Sequence, residues 1–166
     1  MTEAATPVIV TLTKVIDESP SIKTFVFDKV FDIRPGQFCM VWIPGVDEIP
    51  MAFSAANSIT VMKVGNATAS LFEFLMISSA VDSAVNLDAV MFAGAISGGV
   101  AGGIGVTPLF TLAATGEVDT FILGARTKTE LIFTEELEKV TDLKIATDDG
   151  TFGYHGFVTG IMDELD

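Results

Sequence analysis

The sequence has almost none of the residues that bind metal ions. Among 166 residues there is one cysteine, Cys39, and one histidine, His155. A single cysteine excludes an internal disulfide and any pair of cysteine ligands, and a single histidine forms no metal site by itself. We therefore expect no zinc or iron–sulfur site made by this chain alone. A hydrolase also has little support, because no Ser-His-Asp order with a nucleophile elbow is present.

Basic residues are scarce as well. Nine lysines and arginines stand against 22 aspartates and glutamates, which gives a formal net charge of −13 at pH 7. An acidic surface repels nucleic-acid backbones, and no local basic patch is visible, so no DNA or RNA partner is expected. The phosphates of a nucleotide cofactor must then be held mainly by backbone N–H groups and helix N-termini.

The sequence lacks an apolar run of the roughly 18 to 20 residues that a membrane-spanning helix needs. The nearest run, residues 89–106, is mostly alanine, glycine and serine. No basic residue precedes the first apolar stretch, so we do not expect a secretory signal. We expect a cytoplasmic location. Hydrophobic residues make up 49% of the chain, which predicts a core and an apolar face that meets a partner.

Short strands and turns characterise the first half of the chain. Five stretches rich in β-branched and aromatic residues predict strands: PVIVTLTKVI, IKTFVFDK, the FCMVWI of RPGQFCMVWIPG, MAFSAAN and SITVMKV. Pro35 and Gly36 suit the central positions of a tight turn. This spacing predicts a small antiparallel barrel or sandwich, followed by a helix with Thr68 as a plausible cap.

The second half alternates strands and helices, which predicts a parallel sheet. A glycine loop leads into a helix (PLFTLAATG), then a strand (VDTFILGAR), a helix (TELIFTEELEKV) and a strand (LKIATDDG). The change of pattern predicts two domains, residues 1–87 and residues 88–166.

The stretch AGGIGVTPL, residues 101–109, has the outline of a phosphate site. Gly102, Gly103 and Gly105 allow a tight turn with backbone N–H groups directed at an anion, and Pro108 suits the first turn of a helix. It is not the dinucleotide fingerprint GxGxxG, and a loop packed closely against a strand explains the glycines equally well.

Polar residues follow the next two predicted strands, where open α/β sheets bind ligands. Gly124 and Arg126 end one strand, and Asp148 and Asp149 end the other. Arg126 suits a phosphate or carboxylate, or an ion pair with Glu130. The aspartates suit ribose hydroxyls, or a turn cap.

The first half offers a second set of groups. PMAFS contains an aromatic ring, Phe53, and a hydroxyl, Ser54, and the residues Gly65 to Thr68 form a turn at a predicted helix start. Such groups suit a flat ring with a phosphate tail.

Taken in order, the motifs RPGQF, PMAFS, GNAT, AGGIGVTPL, GARTKTELIFTEEL and TDDGTFGYHGFVTG resemble the ferredoxin-reductase-type flavoproteins. Among these, the chain is most similar to the electron-transfer subunits of B-type dihydroorotate dehydrogenases, over residues 8–75 and 100–164.

The resemblance implies a flavin-binding β-barrel domain followed by an NAD-binding α/β domain. Hydride passes from NADH to FAD, and electrons continue through a two-iron two-sulfur cluster to a dihydroorotate dehydrogenase catalytic subunit. No side chain is required as an acid or base. The implied cofactor-binding residues are Met51, Ala52, Phe53 and Ser54 in the flavin signature, Gly65, Ala67 and Thr68 in the flavin-pyrophosphate turn, and Gly102, Gly103, Gly105, Val106, Thr107 and Pro108 in the dinucleotide loop.

Three features depart from the family pattern. Met51 stands where most members have an arginine, which removes a cation that would face the flavin phosphates. Residues 76–98 do not match the usual segment that covers the flavin. The sequence ends at Asp166, before the family's last nucleotide-domain strand and its cluster-binding cysteines.

Two further functions fit the same pattern. One is the small subunit of another NAD(P)H-ferredoxin or sulfide oxidoreductase. The other is a non-catalytic, truncated docking module that keeps the barrel; a colourless purified chain would favour it. Asp148 and Asp149 favour NADH over NADPH, because a carboxylate repels a ribose 2′-phosphate.

Overall fold

A computed structural model describes residues 8–43, 45–73, 76–80 and 98–165 of the chain. The chain divides into two compact units, Met1–Val90 and Met91–Asp166. The predicted domain boundary at residues 87 and 88 lies outside the described residues and stays a prediction. Most of the segment 76–98, which departs from the family pattern, also lies outside them.

The first unit is a closed antiparallel barrel with one helix. Its elements in chain order are β1 (Val8–Ser19), β2 (Ile22–Phe27), β3 (Phe38–Ile43), β4 (Asp47–Ala55), β5 (Ser58–Met62), α1 (Asn66–Glu73) and β6 (Met76–Ala80). The strand order is β1-β2-β5-β4-β3-β6, and β6 pairs with β1 to close the barrel. All pairs in this order are antiparallel, which confirms the predicted barrel.

The barrel closes around apolar side chains that alternate along its strands. In β3, Cys39, Val41 and Ile43 are buried while Trp42 is exposed, which is the period of two expected of a strand. The buried core cluster consists of Val10, Phe25, Phe27, Cys39, Val41, Ile43, Phe53, Ile59, Val61 and Leu71.

The predicted tight turn before β3 is confirmed. Gly36 has φ 77°, and the N–H of Gln37 donates to the carbonyl of Arg34 at 3.0 Å. Proline at the second turn position and a left-handed glycine at the third are typical of a type II turn.

The cap predicted for α1 is wrong. The helix begins at Asn66, two residues before Thr68, so Thr68 lies inside its first turn. Its hydroxyl instead accepts hydrogen bonds from the N–H groups of Val64 and Gly65, at 2.9 and 3.0 Å. A side chain at the third helical position that reaches back to the residue before the helix is one half of a capping box.

The second unit is a four-stranded parallel sheet with short helices. Its elements are β7 (Gly98–Gly102), α2 (Val106–Ala113), β8 (Thr120–Ala125), α3 (Thr134–Leu137), β9 (Asp142–Thr147), β10 (Tyr154–His155) and α4 (Val158–Leu165). The strand order is β10-β9-β8-β7, with every pair parallel. This confirms the prediction that alternating strands and helices form a parallel sheet.

The helix predicted for residues 129–140 is wrong over most of its length. A single 3-10 turn covers Lys128–Glu130, and an α-helix forms only over Thr134–Leu137. Between them Ile132 is buried, and Phe133 adopts φ 59° and stacks on Phe110 with 4.8 Å between ring centroids. Tertiary packing of these side chains outweighs the helix propensity of the stretch.

The described residues include no helix with the length and apolar character to cross a membrane.

Candidate functional site

The glycine loop joins β7 to α2 and leaves open space above its backbone. Gly102 ends the strand, a 3-10 turn covers Gly103–Gly105, and α2 begins at Val106. Gly103 has φ 53°, a conformation that glycine adopts readily. A Cβ built on Gly102, Gly103 or Gly105 would meet no atom within 4 Å. The glycines are therefore not explained by close packing against a strand, and their space is available to a ligand.

Thr107, in the first turn of α2, has a hydroxyl without a partner among the described residues. The residue is 2% exposed, and its Oγ1 has no hydrogen bond within the part of the chain that the structure describes. A buried hydroxyl without a hydrogen bond costs about 1–3 kcal/mol. The next residue, Pro108, has no N–H, so it removes one donor from the helix start. An acceptor or donor from a ligand at the loop would satisfy this hydroxyl.

The carboxyl ends of β7, β8 and β9 lie in register beside this loop. Gly102 pairs with Gly124, and Gly124 with Ala146. The predicted residues of the second unit therefore meet at one edge of the sheet, as expected for parallel strands.

Gly124 has a packing function in the structure. A Cβ at this position would lie 2.5 Å from Cγ1 of Val158 on α4. The absence of a side chain lets α4 approach the sheet, and this alone explains the glycine.

Arg126 forms the ion pair that the sequence offered as an alternative. Its Nη2 donates to Glu130 Oε1 at 3.0 Å and its Nε to Oε2 at 3.2 Å. The arginine side chain is 77% exposed. An exposed pair of this kind contributes at most about 1 kcal/mol, so the guanidinium can exchange Glu130 for another anion at little cost.

Asp149 caps a turn, which is the other alternative that the sequence left open. Its Oδ1 accepts from the N–H of Thr151 at 3.0 Å and from the Thr151 hydroxyl at 2.6 Å. These hydrogen bonds lower the pKa of the Asp149 carboxyl below its usual value. Asp148 is exposed, and its N–H donates to the carbonyl of Ala125 at 3.1 Å.

Two threonines that the sequence did not single out hold the loop after β9. The buried Thr147 hydroxyl donates to the carbonyl of Phe152 at 2.7 Å and accepts from its N–H at 3.0 Å. The Thr151 hydroxyl accepts from the N–H of Lys128 at 2.9 Å, which ties this loop to the one after β8. The spacing Asp149-x-Thr151 is a turn signal that could have identified the second threonine.

The flavin signature lies on β4, and most of its side chains are buried or partly buried in the barrel. Phe53 is 1% exposed and lies in the barrel core, 5.7 Å from the ring of Phe31. The Ser54 hydroxyl is buried and lies 2.9 Å from that of Ser58. Met51 packs partly buried against the core. Neither the ring nor the thioether supplies a charge, so β4 offers no cation from these positions.

The turn before α1 is open to an anion. Gly65 and Asn66 are exposed, and a Cβ on Gly65 would meet no atom within 4 Å. The first N–H groups of an α-helix have no acceptor within the helix, and its dipole favours negative charge there. Ala67 and Met51 both pack against the core cluster, and α1 is in contact with β4.

Cys39 is buried, and burial raises the pKa of its thiol to about 12. Its Sγ lies 3.6 Å from the carbonyl oxygen of Met51. The described residues contain no group of three or more His, Cys, Asp or Glu side chains placed to hold a metal ion.

Solved structures with this architecture include two reductases. The cytochrome P450 reductase GcoB of Amycolatopsis has a TM-score of 0.76 at 18% identity, over 99% of this chain and 59% of that one. A ferredoxin NADP+ reductase from Neisseria gonorrhoeae with bound FAD and NADP has a TM-score of 0.73 at 16% identity, over 97% and 77%. The fold is that of the ferredoxin-reductase-like FAD/NAD-binding domains.

No family model matches the chain, but sequence relatives define its family. A Methanocaldococcus jannaschii protein is 45% identical over 96% of this chain, and one from Thermococcus kodakarensis is 34% identical over 94%. Both carry the name "Probable dihydroorotate dehydrogenase B (NAD(+)), electron transfer subunit". The chain belongs to the family of dihydroorotate dehydrogenase B electron transfer subunits. It spans 63% of the Methanocaldococcus protein and 69% of the Thermococcus protein.

Proposed function

We propose that this chain is the flavin-linked electron-transfer part of a B-type dihydroorotate dehydrogenase. In this proposal it binds NADH and FAD and delivers electrons to a separate catalytic subunit. The observation that carries the proposal is the buried Thr107 hydroxyl, which has no partner among the described residues and lies beside an open glycine loop. Relatives that are 34–45% identical and named as electron transfer subunits support it.

The second unit holds NADH in this proposal. The pyrophosphate lies against Gly102, Gly103 and Gly105, where open space and the N-terminus of α2 favour an anion. The Thr107 hydroxyl bonds to the nucleotide and so gains the partner that it lacks. Because the chain is strongly acidic, backbone donors supply most of the attraction for the phosphates.

The dinucleotide is NADH rather than NADPH. Asp148 and Asp149 are exposed at the carboxyl end of β9, two strands from the glycine loop in the sheet order. A carboxylate at this edge accepts hydrogen bonds from ribose hydroxyls and repels a 2′-phosphate. Asp149 keeps one oxygen on Thr151, so Asp148 is the better candidate for the ribose.

The first unit holds FAD. The turn at Gly65 and the first N–H groups of α1 bind the flavin pyrophosphate, and the Thr68 hydroxyl fixes the shape of that turn. Ser54 and Ser58 form a hydroxyl pair in which one O–H donates to the other, so one proton remains for a ligand. Bound FAD supplies the chemistry, because it accepts a hydride and releases electrons singly. The protein binds and orients it.

The iron–sulfur cluster of the family is not bound by these 166 residues in this proposal. A two-iron two-sulfur cluster needs four ligands, and the sequence has only Cys39 and His155 as soft ligands. Another segment or chain would have to supply the ligands of such a cluster.

A non-catalytic docking module is the second candidate, and the burial of Phe53 and Ser54 favours it. If the side chains of β4 stay in the core, FAD is held only through the α1 turn. Flavin affinity would then be too low for the purified chain to retain the cofactor.

An absorption spectrum of the purified chain separates these candidates. Electron transfer predicts flavin bands, either as purified or after addition of FAD and gel filtration, and these bands bleach with anaerobic NADH. NADPH is the matched control and should bleach them more slowly. A colourless chain that retains no added FAD would overturn the electron-transfer proposal and support the docking module.

A further inference from the structure

One outer face of the barrel is apolar, and it bears the only tryptophan of the chain. Along β3, Cys39, Val41 and Ile43 point into the core. Because side chains alternate along a strand, Phe38, Met40 and Trp42 point to the opposite face. Trp42 is 51% exposed, which is high for so large an apolar side chain.

The strand pairing extends this face on both sides of β3. Ser78 of β6 pairs with Trp42 on one side and with Ile9 of β1 on the other. Residues paired across strands share a face, so Ile9 and Trp42 point outward together, about 10 Å apart across two strand spacings. Ile9 is 74% exposed. On the other side, Pro50 of β4 pairs with Met40 and is exposed.

The charge on the β3–β4 part of this face is negative. The hairpin of β3 and β4, from Phe38 to Ala55, contains two charged residues, Asp47 and Glu48, and no basic one. Both are exposed, but only Glu48 shares this face, because it pairs with Trp42 while Asp47 pairs with the inward-facing Ile43. A second copy of the chain, paired about a twofold axis near Trp42, would bring the two Glu48 carboxylates close together, at a cost in repulsion. A surface with lysine or arginine would instead complement Glu48.

We propose that this apolar face, defined by Ile9, Phe38, Met40, Trp42 and Pro50, docks a different protein. The partner has an apolar pocket that receives the Trp42 ring, with a lysine or arginine side chain facing Glu48. An exposed tryptophan at the centre of a face with charges at its rim is typical of an interface hot spot. The inference rests on the proposed function, under which the partner is the dihydroorotate dehydrogenase catalytic subunit.

The test measures affinity between the full chain and the purified catalytic subunit by titration calorimetry. The variant Trp42→Ala should weaken binding at least tenfold, because it removes the central anchor. The variant Glu48→Lys should also weaken it at low salt, and the difference from wild type should shrink at high salt. Phe157→Ala is the matched control, since Phe157 is an aromatic residue of the other unit that is 71% exposed. Its affinity should stay within twofold of wild type.

A spectroscopic measurement reports on the tryptophan directly. With 5-fluorotryptophan incorporated, the chain gives one ¹⁹F signal, because Trp42 is its only tryptophan. The signal should shift and broaden when unlabelled catalytic subunit is added. Circular dichroism of each variant checks that the barrel is folded.

Three outcomes would overturn the docking proposal. One is wild-type affinity of Trp42→Ala for the catalytic subunit, and another is the absence of any binding by the wild-type chain. The third is a wild-type dimer in sedimentation velocity that Trp42→Ala abolishes, which would assign the face to a second copy. Failure of the proposed function would give a different result. The chain would still bind the catalytic subunit through Trp42, but NADH would not bleach any flavin.

Discussion

Val158 on α4 packs directly above Gly124 on β8, where Cγ1 of the valine lies 2.5 Å from the position that a Cβ would occupy. The valine packs against a buried cluster of Ile122, Ala146 and Ile161. Helix and sheet therefore meet through a glycine, and the close approach depends on its missing side chain.

The substitution Gly124→Ala should lower the free energy of unfolding by about 1–3 kcal/mol, because the added methyl group overpacks this contact. Thermal denaturation measures the change. Adding Val158→Ala should restore part of the loss, and a double variant no more stable than Gly124→Ala alone would show that the two residues are not coupled. The matched control is Gly102→Ala, where a Cβ meets nothing. It should leave stability nearly unchanged and weaken NADH binding.

Thr107→Val should separate stability from binding. Replacing the unpaired buried hydroxyl with a methyl group of similar shape should leave the NADH-free chain as stable as wild type, or more stable by up to about 1–3 kcal/mol. NADH should bind about tenfold more weakly, as expected for one lost hydrogen bond of about 1.4 kcal/mol. Fluorescence titration and thermal denaturation measure the two effects. Thr107→Ser, which keeps the hydroxyl, should retain the affinity, and equal NADH affinity in all three proteins would exclude a bond to the nucleotide.

Arg126 and Glu130 allow a test of what the guanidinium binds. Glu130→Gln should change the free energy of unfolding by less than about 1 kcal/mol, because the pair is exposed. If Arg126 also meets a nucleotide phosphate, Arg126→Ala should weaken NADH binding while Glu130→Gln leaves it unchanged or strengthens it. The NADH affinity of each protein should also be measured over a range of salt concentrations. If Arg126 contacts a phosphate, the affinity of Arg126→Ala should depend less on salt than that of wild type. Equal NADH affinities in wild type and Arg126→Ala would show that Arg126 does not contact the nucleotide and only pairs with Glu130.

Asp149 should make stability sensitive to acid. The hydrogen bonds from Thr151 lower the pKa of the Asp149 carboxyl in the folded state. Its stabilising contribution to the free energy of unfolding is therefore present above the unfolded pKa of about 3.9, and is lost as the pH falls through the folded pKa. Asp149→Asn should therefore lower the melting temperature at pH 7 and have a smaller effect near pH 2. Melting temperatures between pH 2 and 7 measure this. Asp148→Asn is the control, and an Asp149→Asn deficit that is the same at every pH would contradict the linkage.

Cys39 should be unreactive in the folded chain. With a pKa of about 12, the thiolate fraction at pH 8 is about one in ten thousand, and the side chain is buried. A disulfide exchange reagent should modify no thiol in native protein and one thiol in guanidinium chloride. Fast modification without denaturant would show that the barrel opens around β3.

The sequence allowed the barrel and the parallel sheet to be predicted, because both depend on the short-range alternation of apolar residues that strands require. It did not predict the break at Phe133, since that conformation depends on stacking with Phe110, which is 23 positions earlier in the chain. The open space above Gly102 and the tight contact above Gly124 also look alike in sequence. Only the path of α4 distinguishes them.

The candidate site was predicted as a set of positions, but the hydrogen bonds within it were not. The sequence left open whether Arg126 pairs with Glu130 and whether Asp149 caps a turn, and both contacts are present. The missing partner of Thr107 could not be read from sequence, because a threonine in the first turn of a helix usually has an acceptor or water nearby. Burial by the surrounding fold decides that it has none among the described residues.

The hydrogen bonds of Thr147 and Thr151 have a consequence for how tightly a ligand is captured. They hold the loop after β9 against itself and against Lys128. A loop that is preorganised in this way has lost its conformational entropy during folding, so ligand binding does not include that entropic cost. Under the proposed function, this loop is therefore already ordered when a dinucleotide arrives.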